Sequence, residues 1–276
     1  MNYIEVTISG QAPSLHEILI AQLMSINFNG FLEEENQLIA YLDEAAYLPA
    51  VKTRLQELET QHQLNISTKT IADQNWNAQW EADYKPVVVE DFCVVRASFH
   101  APIEGVEHEL IVTPKMSFGT GHHATTYMMM LQMRDLDFKE QQVLDYGCGT
   151  GVLAILAQRL GAKHIDGVDI DYWSYDNTLE NMQLNDVPAE KMEVYHGVLD
   201  DVPAQGYDLI LANINRNVIL GTMSDMQARL NRGGKLLCSG FLEQDIPLVV
   251  QAAKECGLTL QRQEEREQWR CLLFSS

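Results

Sequence analysis

The feature of this sequence that most restricts its fold is an apolar run that leads directly into three closely spaced glycines. Residues 143–151 read VLDYGCGTG, and a helical pattern begins immediately afterwards. Glycine has no Cβ, so such a turn lets the backbone bend tightly and approach a ligand. The helix beyond it presents free N–H groups and the positive end of its dipole. A glycine-rich turn alone is often only structural, but a strand, glycines and a helix in this order favour a nucleotide site.

Strands and helices alternate from this point to the end of the chain. Strands are predicted at 142–146, 164–168, 192–195, 207–212, 234–239, 258–264 and 268–274, and helices at 151–160, 173–185, 216–230 and 243–256. This alternation predicts an α/β fold, a doubly wound Rossmann-like parallel sheet with an antiparallel edge formed by the last two strands. Ligands bind such sheets at the carboxyl ends of the strands, so we expect the functional residues there.

Two aspartates follow the second strand of this region. Asp169 lies 22 residues beyond Gly147, where a carboxylate accepts hydrogen bonds from ribose hydroxyls. We assign this role to Asp169 and assign capping of the next helix to Asp171. A dinucleotide fingerprint requires a small third residue at position 152, which is valine here. A nicotinamide-dependent oxidoreductase is therefore disfavoured, although it remains an alternative.

Asp145 has two interpretations of equal weight. A carboxylate below the glycine turn faces either the ammonium of a cationic cofactor or the backbone amides nearby, and it would repel a pyrophosphate. Alternatively, it only braces the turn, because buried carboxylates usually accept hydrogen bonds from backbone N–H groups.

The first part of the chain has a different organisation. Residues 1–70 predict the order β-α-β-β-α-β, which is typical of a small ferredoxin-like α+β domain. We expect residues 71–85, with Trp76 and Trp80, to form a helical linker, and residues 86–276 to form the catalytic domain. The first domain carries no candidate site residue, which leaves it available for substrate recognition.

Charge and composition exclude several classes of protein. The net charge is −20 and the chain has no basic run, so direct binding of nucleic acid is not expected. The negative charge is better explained as keeping the protein soluble than as attracting a basic partner, but both explanations remain open. The five cysteines are scattered and the eight histidines have no metal-site spacing, so we predict no metal. Without a signal peptide or an apolar run of about 18 residues, we expect a cytoplasmic protein with no membrane contact.

The segment Asp145 to Gly151 together with Asp169 resembles class I S-adenosylmethionine-dependent methyltransferases. Two further segments narrow the resemblance. Residues 118–126, FGTGHHATT, precede the glycine turn, and Ala212-Asn213-Ile214 end the fourth strand. Together they are similar to the ribosomal protein L11 methyltransferase family (PrmA), and the similarity extends over most of the chain.

The resemblance implies roles for named residues. It implies that S-adenosylmethionine is the cofactor. The residues implied to contact it are Thr126, Gly147, Asp169 and Asn213. We add Gly149 to the cofactor-binding residues because it lies in the same glycine turn. It also implies that the loop from Phe118 to Gly121 closes over the methyl donor.

Two of the residues are candidates for catalysis. The Asn213 carbonyl is suited to hold the substrate amine, and the Phe118 ring to shield the site and favour a cationic product. The alternative for Phe118 is a core aromatic. His122 and His123 are candidate bases, but a structural role is favoured for both, since desolvation of the amine with water as proton acceptor is sufficient.

The resemblance implies methyl transfer to amino groups, in lysine side chains, the N-terminal amine or both, of a basic large-subunit ribosomal protein. The alternatives are a class I methyltransferase acting on another protein or a small amine, the oxidoreductase, and an inactive cofactor-binding assembly factor.

Overall fold

The fold was analysed in a computed structural model, which describes residues 2–10, 15–34, 37–71, 81, 84–115, 117–203 and 206–276. The chain divides into two compact units, Met1–Asp83 and Tyr84–Ser276. Most of the predicted linker, including Trp76 and Trp80, lies outside the described residues. Its helical character and the boundaries 1–70, 71–85 and 86–276 therefore stay predictions.

The N-terminal unit has the predicted order of strands and helices. Its elements are β1 (Tyr3–Ser9), α1 (His16–Met24), β2 (Gly30–Glu34), β3 (Gln37–Asp43), α2 (Pro49–His62) and β4 (Asn65–Ile71). The strands form one antiparallel sheet in the order β2-β3-β1-β4, which is the arrangement expected of a ferredoxin-like unit. Alternate residues of β1 and β3 are buried against the two helices in a core of their own.

The second helix of this unit is preceded by a short turn. Residues Glu44–Ala46 form a short 3-10 turn, and α2 starts at Pro49. Proline suits the first helical position because its φ angle is already helical and its missing N–H would have no partner there.

The C-terminal unit contains the predicted alternation. Three short strands come first, β5 (Val87–Val89), β6 (Cys93–Arg96) and β7 (His108–Ile111). The elements that follow are α3 (Ala124–Met133), β8 (Gln142–Tyr146), α4 (Val152–Arg159), β9 (His164–Asp169), α5 (Tyr172–Leu184), β10 (Met192–His196), β11 (Tyr207–Asn213), α6 (Arg216–Arg229), β12 (Leu230–Leu242), α7 (Ile246–Glu255), β13 (Thr259–Arg266) and β14 (Trp269–Ser275).

The main sheet has seven strands in the order β10-β9-β8-β11-β12-β14-β13. The first five are parallel, and β14 pairs antiparallel with both β12 and β13. The predicted doubly wound sheet with an antiparallel edge is therefore confirmed. Successive strands are added on one side of β8 up to β10 and on its other side from β11 onward. The topological switch point therefore lies between β8 and β11, at the glycine turn that follows β8.

Apolar residues cover both faces of this sheet. Val143 packs with α3, α4 and α5 on one face, whereas its neighbour Leu144 packs with α6 and α7 on the other. Strands buried on both sides read as continuous apolar runs, which is why they were recognisable in the sequence. None of the described helices is long and apolar enough to cross a membrane.

Strand β12 is longer than the predicted 234–239 and carries an irregularity at its carboxyl end. Its pairing with β14 shifts register between Ser239 and Phe241. Gly240, between them, has a φ of 104°, and a Cβ there would lie 2.0 Å from the carbonyl oxygen of Ile214. Only glycine permits β12 to come this close to the residue that follows the end of β11.

Candidate active site

A cavity of about 520 Å³ lies at the carboxyl edge of the main sheet. The ends of β8, β9, β10, β11 and β12 and the start of β14 contribute to it, as does the loop before α3. Five of the predicted site residues are among its lining residues: Phe118, Gly147, Gly149, Asp169 and Asn213. The parallel strands therefore bring these dispersed positions together, as expected for an α/β sheet.

The glycine turn contacts both β9 and the loop before α3. The Gly147 N–H donates to the Val168 carbonyl over 2.8 Å, and the Thr150 N–H donates to the Phe118 carbonyl over 2.9 Å. Gly149 has a φ of 57°, and a Cβ on it would lie 2.3 Å from the Phe118 carbonyl oxygen. A side chain at position 149 would therefore separate the turn from the loop.

Backbone N–H groups hold the Asp169 carboxylate in place. Its Oδ2 accepts from the Gly149 N–H and its Oδ1 from the Asp171 N–H, both over 2.9 Å. Each oxygen retains further lone-pair capacity, and the residue lines the cavity. This geometry suits a pair of ribose hydroxyls. Asp171 caps α5 by accepting from the Trp173 N–H, as predicted.

Asp145 is buried beneath the turn. Its Oδ2 accepts from the Ala154 N–H over 3.0 Å, which is the bracing contact of the second interpretation. Its Oδ1 is buried and has no hydrogen-bond partner among the described residues, so the first interpretation remains open. Burial raises the pKa of Asp145 to about 7; the Ala154 hydrogen bond opposes the rise and the charge of Asp169 adds to it.

Asn213 ends β11 at the middle of the cavity edge. Its Nδ2 donates to the Thr126 Oγ1 over 3.1 Å, whereas its Oδ1 is buried without a partner in the described part of the chain. Thr126 is fully buried in α3 and is not among the lining residues. The structure thus places Thr126 behind Asn213, and its direct contact with the cofactor stays a prediction.

Phe118 lies at the cavity mouth with 51% of its surface exposed. The alternative that it is a core aromatic is therefore wrong. Its ring is 5.2 Å from that of His123, centroid to centroid.

The two neighbouring histidines have different surroundings. The His122 Nε2 lies 2.9 Å from the Lys85 carbonyl, to which it donates, and its Nδ1 is 3.1 Å from the Thr120 hydroxyl. The His123 Nδ1 caps α3 by accepting from the Thr125 N–H over 3.3 Å. These bonds support structural roles for both rings, although His123 also lines the cavity.

Comparison with known proteins identifies the family. The family model described as ribosomal protein L11 methyltransferase (PrmA) matches residues 11–276. The chain belongs to the ribosomal protein L11 methyltransferase family. The L11 methyltransferase of Porphyromonas gingivalis is 42% identical over 94% of this chain and 90% of its own length. That of Bacteroides fragilis is 34% identical over 99% of both chains.

Solved structures agree with the family. The ribosomal protein L11 methylase of Lactobacillus delbrueckii subsp. bulgaricus has a TM-score of 0.64 at 26% identity, covering 70% of this chain and 98% of that one. A methyltransferase from Pyrococcus furiosus shares the fold, with a TM-score of 0.52 at 14% identity over 60% of this chain and 88% of that one. As a member of the L11 methyltransferase family, the chain is an S-adenosylmethionine-dependent methyltransferase. The oxidoreductase alternative is therefore wrong.

Several residues that line the cavity of this L11 methyltransferase family member were not predicted from the sequence, and three of them have large apolar side chains in loops or at a strand start: Ile170, Val198 and Trp269. Ile170 is 73% exposed just after Asp169, and Val198 follows β10. Single exposed apolar residues are common on protein surfaces, so no signal in the sequence marked Ile170. Trp269 starts β14, and only the pairing of the last hairpin brings it to the cavity.

One group of three described side chains places potential metal ligands within 4.8 Å of one another: His164, Asp166 and Glu193. It lies on β9 and β10, away from the cavity edge. The buried Asp166 accepts from the Tyr207 hydroxyl over 2.6 Å and lies 3.1 Å from the His164 Nε2. We interpret the group as the partners that a buried carboxylate requires. The predicted absence of a metal stays a prediction.

Proposed function

We propose that this protein transfers methyl groups from S-adenosylmethionine to amino groups of a basic large-subunit ribosomal protein, the protein that its relatives' names give as L11. The observation that carries the proposal is the position of Asn213. Asn213 lies next to the glycine turn, because its neighbour Ala212 pairs with Tyr146 of β8. Its side-chain carbonyl has no partner among the described residues, and its amide donates to Thr126. A buried acceptor without a partner costs about 1–3 kcal/mol, so an amine donor there would recover this energy.

The residues present fit the proposed cofactor. Gly147 and Gly149 let the turn pack closely against Ile214 and the Phe118 carbonyl while lining the cavity. The remaining lone pairs of Asp169 suit the ribose hydroxyls. Ile170 and Val198 offer apolar surfaces at the same end of the cavity for an adenine ring. When bound there, the cofactor supplies an electrophilic methyl group on a sulfonium.

The protein's own contribution is to position and desolvate the amine. Asn213 directs the nitrogen lone pair for in-line displacement, and Phe118 excludes water from the cavity mouth. Burial lowers the pKa of an amine, so its proton can pass to water before attack. The hydrogen bonds of His122 and His123 support this route over a histidine base.

We expect Asp169→Ala to weaken the binding of S-adenosylhomocysteine by about 1–3 kcal/mol, because the ribose hydroxyls lose a charged acceptor. The Gly149 and Asp171 N–H groups also lose their partner. Titration calorimetry on the wild type and the variant measures this effect. Asp171→Ala is the matched control, since it removes a neighbouring carboxylate that only caps α5. Equal affinity of wild type and Asp169→Ala would refute the ribose assignment.

The raised pKa of Asp145 predicts a pH dependence of cofactor binding. With its pKa raised to about 7 by burial, Asp145 is mostly neutral below pH 7 and mostly charged above it. If the free Oδ1 faces the cofactor ammonium, affinity for S-adenosylhomocysteine should rise by up to roughly tenfold between pH 6 and pH 8, since each pH unit below a pKa reduces the charged fraction tenfold. Asp145→Asn should remove this rise. A rise that persists unchanged in Asp145→Asn would leave Asp145 as a brace of the turn only.

The proposed substrate is tested with labelled S-adenosylmethionine and a ribosomal extract that contains the ribosomal proteins, the rRNAs and small amines. We expect label in the L11 band and its absence from the 16S and 23S rRNA. Label in another protein or in small amines would support the alternative substrates, and no label in any fraction would favour the inactive assembly factor. A ribosomal substrate would place the reaction in the cytoplasm.

A further inference from the structure

Three aromatic rings form a continuous wall along the cavity. The ring centroids of Phe118 and His123 are 5.2 Å apart, with an interplanar angle of 60°. Those of His123 and Trp269 are 4.6 Å apart, with an angle of 68°. All three residues line the cavity. Neighbouring rings are thus inclined to one another by 60–68°, and together they form one side of the cavity.

The strand order places the Trp269 end of this wall away from the ribose end, whereas Phe118 adjoins the glycine turn. Asp169 ends β9, and Trp269 starts β14, with β8, β11 and β12 between them in the sheet. Neighbouring strands are about 4.8 Å apart, so four spacings separate the two residues by roughly 19 Å. Asn213 on β11 lies between them, and Trp269 is two strands further from the ribose end. Trp269 and Asp169 therefore lie on opposite sides of Asn213, where the amine is proposed to bind.

The chemistry of the wall suits a cation that cannot donate hydrogen bonds. Asp169, at the ribose end, is the one carboxylate among the described residues that line the cavity. Because the His123 Nδ1 accepts from the Thr125 N–H, the neutral ring carries its proton on Nε2 and has no free lone pair for a donor. Each methyl group removes one N–H donor from an amine, which weakens binding to carbonyls but not to ring faces. Ring faces attract alkylammonium ions.

We propose that Phe118, His123 and Trp269 form a receptor for the methylated ammonium group, with Trp269 as its specificity-determining residue. This inference rests on the proposed function, because it extends the amine-binding end of the same site. In the reaction the amine nitrogen forms a bond to the methyl carbon while the carbon–sulfur bond breaks and its electron pair stays on sulfur. The nitrogen thereby gains positive charge beside the rings. An amine that carries methyl groups stays bound at this wall, which permits further methylation of the same nitrogen after loss of a proton.

The test uses tetramethylammonium as the probe, with the full-length protein saturated with S-adenosylhomocysteine. Neopentyl alcohol, which has a similar shape and no charge, is the matched ligand. Binding is followed through the indole N–H resonances of the tryptophans, and the resonance missing from Trp269→Phe identifies that of Trp269. Trp269→Phe keeps a ring in the wall, whereas Trp269→Leu keeps only its apolar bulk.

We expect tetramethylammonium to shift the Trp269 resonance and to bind more tightly than neopentyl alcohol. Trp269→Leu should reduce this preference by roughly threefold to tenfold, within the range for a ring face and a cation, and Trp269→Phe should retain most of it. Equal binding of the two probes by the wild type, or an unshifted Trp269 resonance, would overturn the proposal whether or not the leucine variant folds. Since neither probe is a ribosomal protein, failure to methylate L11 would refute the proposed function separately.

Discussion

Asn213→Ala should lower the rate of methyl transfer by about 10²-fold or more, because misplacement of a reacting group by about 1 Å has effects of this size. The variant loses the side-chain carbonyl, which has no hydrogen-bond partner within the described part of the chain. Binding of S-adenosylhomocysteine should fall much less, since the Asp169 and glycine contacts remain. Single-turnover kinetics with L11 measure the rate of methyl transfer, and titration calorimetry with S-adenosylhomocysteine measures cofactor affinity separately.

Thr126→Val is the matched partner of this variant. It removes the hydrogen bond to the Asn213 amide while leaving Asn213 in place. Loss of one neutral hydrogen bond is worth about 1 kcal/mol, so we expect a rate loss of up to about tenfold and little change in cofactor affinity. An Asn213→Ala protein that methylates L11 at the normal rate would show that the amine is positioned by other groups.

Removal of residues 1–70 should abolish methylation of L11 while leaving affinity for S-adenosylhomocysteine nearly unchanged. This segment contains nine acidic and three basic residues, a formal charge of −6. A basic ribosomal protein would be attracted to it, and added salt should slow association because the Debye length falls to about 8 Å at 0.15 M. Stopped-flow association at several salt concentrations and endpoint methylation assays measure the two effects.

The truncation is interpretable because the units have separate cores. The apolar cluster of the N-terminal unit contains residues between Ile4 and Ile66, and the clusters around the main sheet begin at Val87. A melting curve of the truncated protein serves as the control for folding. If the truncated protein methylates the same target at a normal rate, the recognition role of this unit is wrong and the unit only stabilises the chain.

Much of the fold was predictable because its signals are local. The apolar strand before Gly147 and the helix after Gly151 are adjacent in the sequence, and Asp169 ends the next strand at a spacing set by one helix. The alternation of apolar strands and amphipathic helices then implies the sheet. These residues were predicted correctly to lie at one edge because parallel strands all end on the same side.

The remaining features depend on contacts between distant segments. Trp269 reaches the cavity only because β14 pairs with the end of β12 across the register shift near Gly240. Thr126 lies behind Asn213 because α3 packs on the sheet, which no spacing in the sequence reveals. The partnerless Oδ1 of Asp145 is likewise a property of the packed interior. Pairing register and packing are tertiary effects, and a single sequence does not specify them locally.

Thr150 joins the glycine turn to the loop that precedes α3. Its N–H donates to the Phe118 carbonyl over 2.9 Å, and its hydroxyl donates to the Gly119 carbonyl over 2.8 Å. The loop can lift from the cavity only if both bonds break, so each opening exposes one particular amide hydrogen to water. The deuterium exchange rate of the Thr150 amide should therefore report the fraction of molecules in which the loop is open. A ligand that holds the loop closed would slow that exchange in proportion to its occupancy. Exchange at this one amide thus reports how often the active site is accessible to solvent.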